Sequence, residues 1–310
     1  MTSLEANRES PPCEPRSEIR TLRPTSMTRR RPTRRPVRRA LLAAGVLLLA
    51  LSALPARAGV VSVAVDGDTA VAELAVAGVA AELTLTFEDA VGLTAESLGL
   101  SVQEVLPLDT GVTSRLPALT SLPAGFPLLV RIEPPAGGPL SFRGVVTVEL
   151  YTHALSYTPG CPLRLFSAPL GGAFRDVTED MGAGSYRVRG GKGDFSEFLI
   201  LAEARPVDSV IAAKLGRLDD LLTAHGGAIE PSVLVDLEDL AASARSSYES
   251  GQLVPAIQKV EAFERKVENH GGADVPDVWR SARDLTNVAG ELRAAARTLH
   301  FSLLWKNNGL

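Results

Sequence analysis

The stretch Phe195-Ser196-Glu197-Phe198-Leu199-Ile200-Leu201-Ala202-Glu203-Ala204-Arg205-Pro206-Val207-Asp208-Ser209-Val210-Ile211 changes its period at Pro206. Before the proline, Phe195 to Ala202 is a short apolar run of strand length. After it, Ile211, Leu215, Leu218 and Leu222 recur every three or four residues, as one face of a helix does. Reading toward the N-terminus, alternating apolar runs recur at Val60 to Val65, Ala70 to Val76, Ala80 to Phe87, Leu128 to Glu133, Val145 to Tyr157 and Leu163 to Phe166. Period two marks half-buried strands. Turn formers separate them, among them Asp66-Gly67-Asp68, Pro134-Pro135-Ala136-Gly137-Gly138 and Gly190-Gly191-Lys192-Gly193-Asp194, with one helical pattern between Ala95 and Leu106. The expectation is an antiparallel β-sandwich over residues 59–205. In its strand from Val145, Val146, Val148 and Leu150 face one way while Thr147, Glu149, Tyr151 and His153 face the other, which puts His153 at solvent or a rim.

Reading toward the C-terminus, three more stripes follow: Val233, Leu237, Leu240, Ala244; then Ile257, Val260, Phe263, Val267; then Val278, Ala282, Leu285, Ala289, Leu292, Ala296, Leu299. Four amphipathic helices with short loops predict an up-down-up-down four-helix bundle over residues 206–310, so the fold class is α+β and multidomain. His225-Gly226-Gly227-Ala228 recurs as His270-Gly271-Gly272-Ala273 at an offset of 45 residues. The offset carries Leu237 and Leu240 onto Ala282 and Leu285, so two duplicated helical hairpins are expected. The two His-Gly-Gly sites would fall on one end of the bundle. Glycines capping helix ends, with histidine favoured by the dipole, explain them better than a metal-binding pair. The tail from Leu299 to Trp305 is more apolar than one stripe needs and is expected to pack back on the β domain.

Upstream of the sandwich, residues 27–58 read as a signal peptide: a basic stretch from Arg29 to Arg39, an apolar run from Ala40 to Leu54, then Pro55-Ala56-Arg57-Ala58. A helix over that run is roughly 22 Å long, short of the roughly 30 Å hydrocarbon core of a bilayer. Ala56 and Ala58 suit signal peptidase, which places cleavage before Gly59; retention as a membrane anchor is the alternative. Arg38-Arg39 also has a loose likeness to a twin-arginine export signal, so the export route stays open. Residues 1–26 read as a disordered or over-extended start. Residues 1–58 hold 12 of the 32 basic residues and 4 of the 36 acidic ones, leaving 20 bases against 32 acids, a formal charge of -12. That sign opposes nucleic acid and anionic lipid as partners. Only Cys161 remains after cleavage, so no intrachain disulfide forms, and a small buried side chain is its expected state.

No hydrolase, zinc, P-loop or calcium-loop motif occurs. The carboxylates of Asp176-Val177-Thr178-Glu179-Asp180 are hard oxygen ligands for Ca²⁺, yet their spacing fits a solvated turn better. No catalytic, cofactor-binding or metal-ligating residue is assigned.

Pro162-Leu163-Arg164-Leu165-Phe166, Gly172, Asp176-Val177-Thr178 and Phe195-Ser196-Glu197-Phe198 resemble the last strands of a β module of exported bacterial proteins. Gly251-Gln252-Leu253-Val254-Pro255-Ala256-Ile257, with Val260, Phe263 and Val267, is similar to the FIMAH-type helical module that often follows it. The whole chain resembles an uncharacterised family of secreted bacterial proteins. The resemblance implies an exported, secreted or periplasmic, non-catalytic protein with an interaction, structural or envelope-accessory role and a protein or envelope component as partner. The rival expectation is an extracytoplasmic hydrolase centred on Cys161 or the carboxylates near Asp176, betrayed by a deep pocket joining Cys161 to His153.

Overall fold

The computed structural model describes residues 59–106 and 108–310. The expected leader, with Ala56 and Ala58, and the extension 1–26 lie outside these residues. Gly59 is the first residue of β1.

Two antiparallel sheets form the N-terminal part. The first takes β1 (Gly59–Asp66), β2 (Thr69–Val76), β3 (Val79–Val91), β7 (Ser141–Thr152), β11 (Tyr186–Lys192) and β10 (Thr178–Gly182) in that spatial order. The second takes β4 (Leu100–Glu104), β6 (Leu128–Ile132), β12 (Glu197–Glu203), β8 (Leu163–Ala168) and β9 (Arg175–Asp176), with β5 (Thr120–Ser121) added to β12. Alternation sets the inner faces: Ala70, Ala72, Leu74 and Val76 on β2 and Ala81, Leu83, Leu85 and Phe87 on β3 meet Val130, Leu165, Phe198 and Ile200 of the second sheet in one core. Period two is lost in β8 and β12 because the second sheet is buried on both faces. Its outer face carries Leu129, Phe166, Leu199 and Leu201, covered by Val105 and by Val112 of the one-turn helix α1 (Thr110–Thr113).

Where Ala95 to Leu106 suggested a helix, a single 3₁₀ turn at Glu96–Leu98 runs into β4. Gly99, at φ 56°, makes that turn possible, since a Cβ there would lie 1.9 Å from the Glu133 carbonyl oxygen. Two turn assignments are also corrected. Gly190, Gly191 and Lys192 belong to β11, and Asp176 to Asp180 spans β9 and the start of β10, with Asp176 and Thr178 buried. Nothing local in the sequence announces the helices that cover these polar residues.

The C-terminal part is a ring of four antiparallel helices: α2 (Val207–His225), α3 (Pro231–Glu249), α4 (Leu253–His270) and α5 (Val288–Asn307). Its direction is visible in the pairs Asp208–Lys306 and Arg217–Glu291 between α2 and α5, Asp219–Arg245 between α2 and α3, and Glu264–Arg297 between α4 and α5. Their stripes meet in a second core around Leu218, Leu237, Val260, Phe263 and Leu299.

The expected fourth helix starts ten residues late, and the second copy of the repeat joins its two antiparallel helices through a longer connection than the first. In the first copy the Glu230 carboxylate accepts the Ser232 and Val233 N–H groups and caps α3, with Pro231 at its first position. The equivalent of Glu230 is Val275, which has no cap to offer and is buried in the bundle core. The chain instead leaves the bundle as β13 (Val278–Arg280), pairing with β7 at Ser141 to Arg143, the part of that edge which β11 leaves open. Trp279 enters the sandwich core, stacked on Phe142 at 5.4 Å and edge-on to Phe195 at 4.7 Å. Asn287 then caps α5 by accepting the Gly290 N–H. Glycine at 226 and 271 is not left-handed, with φ of -54° and -59°; Gly272, at 94°, makes the turn after α4.

Candidate functional site

The elements that meet at the seam of sandwich and bundle include β7, β9, β10, the end of β11, α2 and α5. Two glycines let α5 lie directly on the sheet. A Cβ on Gly290 would stand 2.3 Å from the Gly144 carbonyl oxygen, and one on Gly193 would stand 2.4 Å from the Glu291 nitrogen. The Asn287 side-chain amide donates to that same Gly144 carbonyl at 2.6 Å. Further along α5, Arg293 reaches Glu88 at 2.6 Å and Glu268 at 3.0 Å. Glu88 sits at the β-bulge between Phe87 and Asp89 in the β3–β7 pairing, which turns its carboxylate toward the helix.

At the centre of the seam Lys214 meets Asp176 at 2.7 Å, with both side chains less than a tenth exposed. The ammonium also donates to the Thr298 carbonyl at 3.0 Å, Thr298 Oγ1 at 2.7 Å and Ser302 Oγ at 2.9 Å. Because Thr298 Oγ1 gives its own proton to the Thr178 carbonyl at 2.9 Å, it accepts from Lys214. Burial pushes the Asp176 carboxyl up, but the Lys214 charge and the hydrogen bonds from Lys214 and Thr178 outweigh it and hold the group below the usual carboxylate range. Burial likewise pulls Lys214 down, against the pull of Asp176. The Asp-Val-Thr element thereby earns its place: Asp176 Oδ1 accepts the Thr178 N–H at 2.9 Å, and Thr178 Oγ1 accepts the Leu165 N–H at 2.8 Å. In the Phe-Ser-x-Phe element, Ser196 is bonded to Ser167 at 2.8 Å, and the Glu197 carboxylate, fully buried, takes Arg115 and Arg131.

Beside this ion pair a cleft of about 230 Å³ opens to the surface. Phe174, Val210, Leu221, Ala294 and Ala295 form an apolar floor, and Arg175, Lys192, Arg217, Asp194, Asp220 and Glu291 supply charge. Burial, then the positive charge of Arg175, hold Arg217 below its ordinary value. Burial, then the negative charge of Asp194, hold the Glu291 carboxyl above its ordinary value. Both signs are interleaved at the cleft: Arg217 stands 3.6 Å from Glu291 and Lys192 2.8 Å from Asp194. Of the residues lining the cleft, the sequence points to chemistry only at Asp176. One signal was available for Lys214: it lies on the Ile211–Leu218 stripe, where a charge needs a buried partner.

The histidines and the thiol stand elsewhere. His153 is exposed and bonded to Ser185 Oγ at 2.7 Å and Tyr151 Oη at 3.1 Å. His225 and His270, at the two copies of the repeat, each stand near a different carboxylate: Glu291 at 3.6 Å and Asp274 at 2.6 Å. His300 meets Glu261 at 3.2 Å. Cys161 is buried in the sandwich core, and neither it nor His153 lines the cleft. Among the described residues no three His, Cys, Asp or Glu side chains converge as metal ligands, and no helix is long and apolar enough to cross a membrane. Phe301 and Trp305 of the tail pack on Arg164 of β8, whose guanidinium lies 4.2 Å from the Trp305 ring centre.

No curated protein matches the chain. A family of unknown function, DUF6689, matches residues 45–307, so the chain belongs to that family; the match runs through sandwich and bundle alike.

Proposed function

We propose that this member of a family without an assigned role is an exported, non-catalytic recognition protein of the cell envelope, and that the seam cleft is its binding site. The cleft's make-up carries the reading: charged groups set around an aliphatic floor, on a frame fixed by the Asp176–Lys214 pair and by α5 lying against the sheet. The hydroxyls and the ammonium beside it are committed elsewhere. Ser167 is bonded to Ser196, the Thr298 hydroxyl donates to a carbonyl, and the Lys214 ammonium is shared among four acceptors. Against the rival hydrolase stands the state of its two named centres, a thiol in the sandwich core and a carboxylate bound to a buried lysine. Export rests on the order of basic stretch, apolar run and small residues before Gly59.

Native mass spectrometry of the protein recovered from the extracytoplasmic fraction tests both parts. The expected species begins at Gly59 and releases a small molecule on denaturation or takes one up from an envelope extract. A species retaining Ala40 to Leu54 makes the protein membrane-anchored. Turnover of a hydrolase substrate, abolished by Cys161→Ala or Asp176→Asn in a variant that still folds, replaces the recognition reading with the enzymatic one.

A further inference from the structure

Charge is distributed unevenly over this chain. From residue 59 onward there are 20 bases for 32 acids, and among the described residues all but Arg164, Arg175 and Lys259 have a carboxylate within ion-pair distance. Arg175 does not: among the described residues its guanidinium has neither an ion pair nor a hydrogen bond, although it lies at the cleft beside Arg217. Arg217 itself has one carboxylate, Glu291 at 3.6 Å, without a hydrogen bond, and that carboxylate is shared with His225 at the same distance. Two guanidiniums line one cleft, the exposed Arg175 and the half-buried Arg217, and no carboxylate is bonded to both. Their forked donors match a carboxylate or a phosphate.

The remaining lining chooses between those two. Asp194, Asp220 and Glu291 stand around the same cleft, so a doubly charged phosphate meets more repulsion than a singly charged carboxylate. Phe174, Leu221, Ala294 and Ala295 offer apolar contact that a bare inorganic anion would leave unused. We infer that Arg175 and Arg217 clamp the carboxylate of a small organic acid whose apolar body lies on Phe174, Leu221, Ala294 and Ala295. The inference rests on the reading of the cleft as a recognition site and names its ligand class.

The test uses the full chain with its alanine methyls labelled for NMR, and the probes hexanoate, hexanol, hexylammonium and inorganic phosphate at 150 mM salt. Hexanoate is expected to move the methyl signals of Ala294 and Ala295. Arg175→Gln and Arg217→Gln are each expected to weaken its binding by about tenfold or more, the loss of one charge-assisted contact, with unchanged thermal unfolding. Arg265→Gln, on an exposed helix face, should leave binding as it is. If hexanol or hexylammonium binds as well as hexanoate and ignores Arg175→Gln, the anion clamp is wrong while the cleft remains a recognition site. Phosphate competing as strongly as hexanoate refutes the carboxylate with an apolar body. If no probe moves the two methyls, the ligand class and the cleft reading fall together.

Discussion

Glu179 gives the sharpest prediction. Its Oε1 is enclosed beneath α5 without a hydrogen-bond partner, and Gly191 is glycine because a Cβ there would stand 2.3 Å from that oxygen. Burial pushes the carboxyl up from 4.5 to about 7, against the opposing charge of Arg297 and with a smaller contribution from Glu264. A carboxyl that holds its proton more tightly folded than unfolded favours the native state at low pH. The contribution is fully present below pH 4.5 and is lost as pH rises through 7. At 1.36 kcal/mol per pH unit, the gap between 4.5 and about 7 is worth about 3 kcal/mol. Glu179→Gln keeps the shape and removes the ionisation. The variant should match the parent at pH 4 and below and exceed its stability by up to about 3 kcal/mol at pH 8 to 9. Urea unfolding followed by tryptophan fluorescence measures this at four pH values, since Trp279 reports on the sandwich core and Trp305 on α5. Only the difference between parent and variant counts, because other carboxyls titrate in both. Curves that stay parallel from pH 5 to 9 would show that Glu179 is not a buried, proton-holding group.

At the seam, Lys214→Met leaves Asp176 charged and buried and should cost about 3–5 kcal/mol in denaturant unfolding. Asp176→Leu added to Lys214→Met should recover most of that loss; failure to recover would mean that the Thr298 and Ser302 contacts, not the ion pair, hold the seam. Gly290→Ala forces a Cβ against the Gly144 carbonyl and should destabilise by about 1–3 kcal/mol. Faster proteolysis between sandwich and bundle should accompany it, while a silent substitution would place α5 further from the sheet. Trp279→Ala should cost about 3–5 kcal/mol although it lies in the sequence of the helical part. A smaller loss, read by calorimetry, would mean that the strand Val278–Arg280 is not part of the sandwich core.

Local pattern was enough to decide the two kinds of structure and their order. Alternation from Val60 to Phe87 and the 3.6 period from Ile211 to Val267 report which side of each element is buried, and that is a property of neighbours in sequence. The burial of Cys161 was legible too, because a lone small apolar thiol is cheap to enclose. What local pattern cannot convey is where one element ends on another. The stripe from Val278 to Ala289 kept helical spacing, yet Val275 in place of the capping Glu230 and the open edge of β7 drew those residues into the sheet. Asp176, Thr178 and Glu179 read as a solvated turn because polarity alone says water, and only the packing of α2 and α5 brings Lys214, Thr298 and Arg297 over them. The cleft is wholly of this second kind. Arg175 and Arg217 are 42 positions apart in the chain and meet because β9 and α2 are held on either side of one buried ion pair, a juxtaposition set by long-range contacts that no spacing in the sequence encodes.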